Sequence, residues 1–295
     1  MLSVDDAFTK FKSRLELTTS EQQDASNRQQ RIRSVMSKAF AVDDDFLTGS
    51  YRRHTKTKPL KDVDIFVVLG ASERHYRNEH PTTVLTDVRT ALVAEYGEAR
   101  VHLQRRSVRV DFGARLVDEL SGAVMSFDVT PAFSESDHYV IADRDAGDWM
   151  ATNPRVHATK ATAANERFDG QWKPLVKMLK KWNEHQGRPI KPSFLIEVMS
   201  LDLLDVWGGS YPRELKAWFA TAVDAIDRSW PDPAGLGHPV SDRMSGDAGL
   251  RAAARLALKQ AEAVCTEALV HQRNGRTSAA LDSWQTLFGP AFAKC

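Results

Sequence analysis

The sequence predicts a two-lobed α/β fold. The first lobe contains helices and a mixed, mainly antiparallel sheet, and the C-terminal lobe is helical. The run Ile65–Leu69 has the length and β-branched content of a buried strand. Residues 100–112 and 124–133 alternate apolar and polar side chains, as strands with one buried face do. From Arg167 onward, apolar residues recur at helical spacing, in a stripe formed by Trp172, Leu175, Val176, Leu179 and Trp182.

The length of the chain indicates how many domains to expect, and its net charge indicates which partners to expect. A chain of 295 residues can form two domains of ordinary size. We place the division after residue 160, with the sheet and an N-terminal helix in 1–160 and the helical lobe in 161–295. The 40 Lys and Arg residues nearly balance the 39 Asp and Glu residues, for a net charge of +1. This balance gives no reason to expect a constitutive nucleic-acid partner.

Cysteine use and hydropathy indicate the compartment. The two cysteines, Cys265 and Cys295, cannot supply a disulfide framework, which fits a reducing cytoplasm. Met1 is followed by acidic and polar residues, and no apolar run reaches membrane-spanning length. The sequence therefore predicts a cytoplasmic protein with no membrane partner.

The N-terminal forty residues are expected to be helical. Apolar residues come at roughly helical spacing over 3–40, interrupted by a polar stretch. Thr19-Ser20, with Glu21 close behind, can start a second helical segment.

Four further features are expected between the strands and the helical lobe. Residues 83–96 form a helix that ends near Gly97. A turn at Ser121-Gly122 joins the two alternating stretches, and Pro131 ends the second strand. Residues 134–165 form a connection with short structure.

Two acids mark the start of the buried strand. Asp62 and Asp64 stand two residues apart, so in a strand their carboxylates point to the same side. Two like charges side by side are costly unless a cation lies between them, and oxygen ligands suit Mg²⁺. Upstream, Gly49 allows close backbone approach and Ser50 supplies a hydroxyl at an expected helix start, which suits a phosphate. Either pair alone is common on surface loops, but their order along the chain is typical of nucleotidyl transfer.

The stretch GSYRRHTKTKPLKDVDIFVVL, from Gly49 to Leu69, resembles the polymerase-β-like nucleotidyltransferase superfamily, whose signature is GS followed by two spaced acids. Within it, the stretch is similar to the bacterial cGAS-like nucleotidyltransferases (CD-NTases) and their relatives, the oligoadenylate synthases. The resemblance implies a polymerase-β-like nucleotidyltransferase core with a mixed sheet, a long N-terminal spine helix and a C-terminal helical lobe that closes the nucleotide cleft.

A third carboxylate is expected from Asp128. The segment FDVTPAF resembles the one that carries the third acid in oligoadenylate synthases. Asp111 competes for the role, because it faces away from Val110 and Phe112 and a hairpin can place it beside Asp128. The structural alternative for either acid is an ion pair with an arginine such as Arg109.

The resemblance also implies a division of roles. Ser50 holds the donor phosphates, Asp62 and Asp64 contact two Mg²⁺ ions (Mn²⁺ being a possible substitute), and Asp128 contacts one of them and the attacking hydroxyl. Arg52 and Arg53 are candidates for phosphate contact, although pairing with surface acids is the expectation we favour.

In the helical lobe, the resemblance assigns nucleotide contacts to four residues. The segment KMLKKWNEHQGRPIKPSFLIEVM is similar to a region of oligoadenylate synthases in which a helix lysine meets the phosphates. Lys180 matches that lysine, with Lys177 one turn earlier as the substitute. Ser193 and Phe194 match the pair that touches the base, with Phe194 replacing a tyrosine. The lysines of this helix are otherwise expected on a solvated face.

Together these features predict a metal-dependent nucleotidyltransferase that makes a cyclic or linear oligonucleotide second messenger from NTPs, with ATP among them. The resemblance implies anti-phage signalling through a downstream effector that binds the product. Two alternatives remain open, namely transfer to an RNA or protein acceptor, and an inactive sensor that binds a nucleotide without turning it over.

Overall fold

The computed structural model describes residues 2–115 and 124–292. Contacts divide the chain into two compact units, one from Leu17 to Ala158 and one that joins the residues up to Glu16 with those from Thr159 onward. We call these the strand unit and the helical unit. The turn expected at Ser121-Gly122 and the terminal Cys295 lie outside the described residues.

The strand unit contains a sheet, two long helices and one short helix. Its elements are α2 (Thr19–Ala39), β1 (Val42–Thr48), α3 (Gly49–Arg52), β2 (Asp62–Leu69), α4 (Thr82–Tyr96), β3 (Val101–Leu103), β4 (Val108–Arg115), β5 (Val124–Glu135), β6 (His138–Asp143) and β7 (Asp148–Thr152). Short 3₁₀ segments, Ala71–Asn78 and Glu98–Arg100, connect them.

The sheet is mixed and mainly antiparallel, as the sequence predicts. Its strands run in the order β1-β2-β5-β4-β3, and β6 and β7 extend it from β5. β2 and β5 are parallel, and every other recorded pairing is antiparallel. The parallel pairing of β2 with β5 requires a crossover connection, which the chain makes through α4, β3 and β4.

One face of the sheet packs against α2 and α4. Alternate strand residues are fully buried there, among them Val63, Ile65, Phe127 and Val129. They meet apolar side chains of the two helices, namely Ile32, Met36, Val84, Leu85, Val88 and Leu92. Because strand side chains alternate, this packing directs the intervening polar residues to the opposite face.

Three strands in this unit depart from the sequence-based expectation. β1 was not expected, because Asp43-Asp44-Asp45 breaks the apolar alternation of a strand. β6 and β7 form a hairpin within 134–152, where a connection with short structure was expected, and α5 (Pro154–Arg167) follows.

The expectation that Pro131 ends its strand is wrong, since β5 continues to Glu135. Pro131 lies opposite Val67 of the parallel partner. On the other side of β5, pairing with β4 stops at Val129 and pairing with β6 starts at Ala132. Pro131, which has no N–H to donate, therefore lies in the gap between the residues of β5 that pair with β4 and those that pair with β6.

The N-terminal helical stretch is two helices, α1 (Val4–Leu15) and α2. A second segment was expected to start near Thr19-Ser20, and the structure places its N-cap at Thr18. The Thr18 hydroxyl accepts from the Glu21 N–H at 3.1 Å, and the Glu21 carboxylate accepts from the Thr18 N–H at 2.8 Å. The other Glu21 oxygen accepts from the Leu60 N–H at 3.1 Å, so the cap also holds the chain that leads into β2.

The helical unit is built around an aromatic core. Besides α1 and the C-terminal part of α5, it contains α6 (Trp172–His185), α7 (Phe194–Leu203), α8 (Tyr211–Ala225), α9 (Asp242–Ser245), α10 (Ala248–Arg273) and α11 (Thr277–Phe288). Phe8 and Phe11 of α1 are buried against Trp284, Phe288 and Phe292, with ring centroids 4.7–6.3 Å apart. α1 thus packs with residues near the other end of the chain, although the sequence-based division grouped it with 1–160.

We expect Glu21→Ala to lower the free energy of unfolding of the strand unit by about 1–3 kcal/mol, because it removes both the reciprocal cap and the acceptor for Leu60. Urea unfolding followed by circular dichroism measures this. Exposed Glu79→Ala is the matched control, with an expected change within about 0.5 kcal/mol. Equal effects of the two substitutions would contradict the role given to the cap.

Candidate active site

The polar face of the sheet carries a row of side chains that runs across five strands. In register, from β1 to β3, the row is Thr48, Asp64, Asp128, Arg109 and His102. Asp64 and Asp128 are directly opposite each other on the parallel strands β2 and β5. Since neighbouring strands lie about 4.8 Å apart, the two carboxylates start from adjacent backbone positions.

A second row lies two residues earlier along β2. Here Asp62 is opposite Ser126 of β5, and Ser126 is opposite Asp111 of β4. Both candidates for the third acid are therefore on the same face as Asp62 and Asp64. Asp128 is one strand away from Asp64, whereas Asp111 is two strands away from Asp62 and lies 3.3 Å from the His102 ring. The geometry favours Asp128 as the partner of the first two acids.

Gly49 approaches Asp64 so closely that no other residue fits. Its φ of +61° is in the left-handed region, and a Cβ placed on it would lie 1.7 Å from Asp64 Oδ2. Gly49 opens the short helix α3, as expected for a turn that leads into a helix. The Ser50 carbonyl accepts from the N–H groups of Thr55 and Lys56 at 2.9 and 3.1 Å, which fixes the loop after α3.

Two cations contact the acids directly. Lys56 Nζ donates to Asp62 Oδ1 at 2.6 Å. The Arg109 guanidinium makes two hydrogen bonds to Asp128, both at 2.9 Å, from the strand position opposite it. The arginine pairing expected as the structural alternative is therefore present for Asp128. The sequence analysis did not predict the contact of Lys56 with Asp62, because the spacing of the two residues does not show that the loop between them folds back toward the strand.

The acidity of Asp64 is perturbed by its surroundings. Burial, with the charges of Asp128 and Asp62, raises its pKa to about 6, against the opposing effect of Lys56 and Arg53. Arg53 is itself buried. At neutral pH Asp64 is largely ionised, although its surroundings disfavour the charge.

These residues fit a divalent cation in chemistry. Asp62, Asp64 and Asp128 bring carboxylate oxygens, the ligands that divalent ions prefer, to one face of two adjacent strands. Burial is the main cause of the raised pKa of Asp64, and the charges of Asp128 and Asp62 add a repulsion that a cation would relieve. Within residues 2–115 and 124–292, no group of three or more acidic, His or Cys side chains is arranged to hold a metal ion. Lys56 and Arg109 contact two of the three carboxylates.

The four site residues expected in the helical unit lie on α6 and at the start of α7. Lys177 is buried rather than solvated, and its Nζ is 2.6 Å from Glu16. Lys180 is 2.6 Å from Glu197 of α7, whose side chain is 3% exposed. The expectation of a solvated lysine face is therefore wrong for Lys177. Ser193 is the N-cap position of α7, and Phe194, its first residue, packs against the core of the unit.

A family model for the Second Messenger Oligonucleotide or Dinucleotide Synthetase (SMODS) domain matches residues 2–165, which is more than half of the chain. The chain is a bacterial cGAS-like nucleotidyltransferase. Members of this family generally use divalent metal ions, and they build second messengers from NTPs.

Two curated relatives of the nucleotidyltransferase are themselves synthases. A probable cyclic nucleotide synthase of Bacillus cereus (strain VD146) is 26% identical over 285 residues, covering 83% of this chain and 80% of that protein. A cyclic AMP-AMP-AMP synthase of Acinetobacter sp. is 30% identical over 203 residues, covering 65% of this chain and 54% of that protein.

Solved structures share the fold of the nucleotidyltransferase. CdnC of E. coli MS115-1, in a complex with HORMA-deltaN, superposes with a TM-score of 0.73 at 18% identity, covering 98% of both chains. The CD-NTase CdnG of Bradyrhizobium diazoefficiens, in complex with GTP, gives a TM-score of 0.74 at 13% identity, covering 97% of this chain and 96% of that one. Among the described residues of the nucleotidyltransferase, no helix is long and apolar enough to cross a membrane.

We expect Gly49→Ala to reduce nucleotidyl transfer by about 100-fold or more, because the new Cβ must push the Asp64 carboxylate aside. Product formation under saturating NTP measures the effect. Gly97→Ala is the matched control, since Gly97 also has a positive φ but nothing lies within 4 Å of its added Cβ. Gly97→Ala should cost about 1 kcal/mol of stability and retain activity. Equal loss of activity in both variants would assign the effect to backbone strain alone.

We expect the unfolding free energy of the protein without divalent ions to fall as pH rises from about 4 to about 6. A folded-state pKa raised to about 6 means that the folded state binds more protons than the unfolded state in this window. Asp64→Asn should remove this slope and gain about 2–3 kcal/mol above pH 6, from a shift of about two pKa units. Urea unfolding between pH 4 and 8 measures it, and an unchanged slope in Asp64→Asn would contradict the assignment.

Proposed function

We propose that this nucleotidyltransferase joins NTPs into a cyclic or linear oligonucleotide second messenger, with Asp62, Asp64 and Asp128 holding two Mg²⁺ ions. The observation that supports this most is the register of β2 and β5, which puts Asp64 beside Asp128 with Gly49 against them. The two ions would supply charge stabilisation for the attacking and leaving oxygens, and Mn²⁺ has the same preference for oxygen ligands.

The reaction forms one bond and breaks one. A 2′- or 3′-hydroxyl of one nucleotide attacks the α-phosphorus of an NTP, and the bond from that phosphorus to the leaving pyrophosphate breaks. Asp128 faces the site beside Asp64 and is the proposed acceptor of the hydroxyl proton. Asp62 and Asp64 are proposed to orient the reacting groups, and Gly49 and Ser50, the first residues of α3, are proposed to contact the donor phosphates.

The remaining assignments follow from the family. Lys177, Lys180, Ser193 and Phe194 are proposed to contact the phosphates and base of a nucleotide, as similar positions do in oligoadenylate synthases. ATP is a proposed substrate, since relatives are named as cyclic AMP-AMP-AMP and cyclic UMP-AMP synthases. With NTPs as substrates, we place the enzyme in the cytoplasm, where its product would act on a separate effector in anti-phage defence.

We expect incubation with the four NTPs and Mg²⁺ or Mn²⁺ to yield a product that resists phosphatase, identified by mass spectrometry. Asp64→Asn and Asp128→Asn should each lower its rate by about 100-fold or more, because each removes a charge needed in the transition state. Asp111→Asn is the matched control on the same face and should stay within about tenfold of the parent enzyme. If Asp111→Asn lowers the rate about 100-fold or more and Asp128→Asn stays within about tenfold of the parent enzyme, Asp111 is the third acid. Product formation only with an added RNA or protein would overturn the proposed function.

A further inference from the structure

The ion pairs at the acids occupy the oxygens that a metal ion would use. Lys56 contacts Asp62 through a single oxygen at 2.6 Å, and Arg109 contacts both oxygens of Asp128 at 2.9 Å. A divalent ion that binds these carboxylates must share the oxygens with the two cations or displace them.

The two cations are anchored differently. Arg109 stands on β4 directly opposite Asp128, so its Cα cannot move away without opening the sheet. Its side chain, which is 36% exposed, can still swing toward solvent. Lys56 is on the loop after α3, where its N–H donates to the Ser50 carbonyl at 3.1 Å. The base of this side chain is thus fixed next to the residue proposed to hold donor phosphates.

The two ion pairs place a positive charge on two of the three carboxylates. A divalent ion entering alone must therefore compete with Lys56 for Asp62 and with Arg109 for Asp128. An NTP brings several negative charges, which give the displaced side chains new partners within the same site.

We propose that Lys56 and Arg109 are exchangeable counter-ions that keep divalent ions out of the acid site until an NTP arrives. On binding of the metal and the nucleotide together, the two side chains leave the carboxylates and pair with the triphosphate. This inference rests on the metal site of the proposed function. By linkage, the NTP must strengthen metal binding by the same factor by which the metal strengthens NTP binding.

The test measures Mn²⁺ binding to the full chain at pH 8 by the electron paramagnetic resonance signal of free Mn²⁺, which needs no turnover. Lys56→Met and Arg109→Met should each bind Mn²⁺ about tenfold more tightly than the parent in the absence of nucleotide, because one competing positive charge is gone. A non-hydrolysable ATP analogue chelates Mn²⁺ itself, so its effect is taken as the loss of free Mn²⁺ signal beyond that in a titration without protein. This additional loss should be large in the parent and smaller in the variants. Lys38→Met, on the exposed last turn of α2, is the matched charge control and should behave as the parent.

Arg109→Lys is a control that separates loss of the charge from a change in folding. Because it keeps the positive charge, it should bind Mn²⁺ within about threefold of the parent. Near-ultraviolet circular dichroism checks that each variant is folded. If Lys56→Met and Arg109→Met bind Mn²⁺ no more tightly than the parent while Asp64→Asn abolishes binding, the counter-ion role is wrong and the metal site stands. If no protein binds Mn²⁺ even with the ATP analogue, the metal site itself is wrong, and this inference with it.

Discussion

The parallel pairing of β2 with β5 is the constraint on which the site depends. It sets two carboxylates on adjacent strands, where burial and mutual repulsion raise the pKa of Asp64 to about 6. A fold selected for stability alone would place a neutral pair at these positions. The apolar packing of Val63, Ile65 and Phe127 on the opposite face holds the strands in this register against the repulsion.

Much of the site could be predicted from the sequence, because strand periodicity fixes which side chains share a face. The order of Gly49, Ser50, Asp62 and Asp64 along the chain indicated the acid site, and alternation put Asp128 on the polar face of its own strand. Periodicity does not determine register between strands that are distant in sequence. The sequence favours Asp128 over Asp111 through the resemblance of FDVTPAF, and the sheet adds that Asp128 lies beside Asp64 whereas Asp111 lies beside Ser126.

The features that sequence reasoning missed depend on charges neutralised by distant residues. β1 contains three consecutive aspartates, yet Asp45 pairs with Arg33 of α2 and Asp44 with Arg155 of α5. Likewise, the burial of Lys177 depends on Glu16, which is 161 residues earlier in the chain. A pattern read along one segment cannot show such partners, because the energetic cost of burying a charge is offset only by the tertiary structure.

The location of α1 has a consequence for how the chain folds during synthesis. α1 is synthesised before the strand unit, but the aromatic residues that bury Phe8 and Phe11 belong to α11 and the segment after it, which are synthesised later than the strand unit. The helical unit is thus a discontinuous domain, interrupted by the whole strand unit. The nascent strand unit can fold on the ribosome before the residues that pack against the apolar face of α1 have been synthesised. Until α11 has been synthesised, Phe8 and Phe11 lack the aromatic partners that bury them in the folded unit.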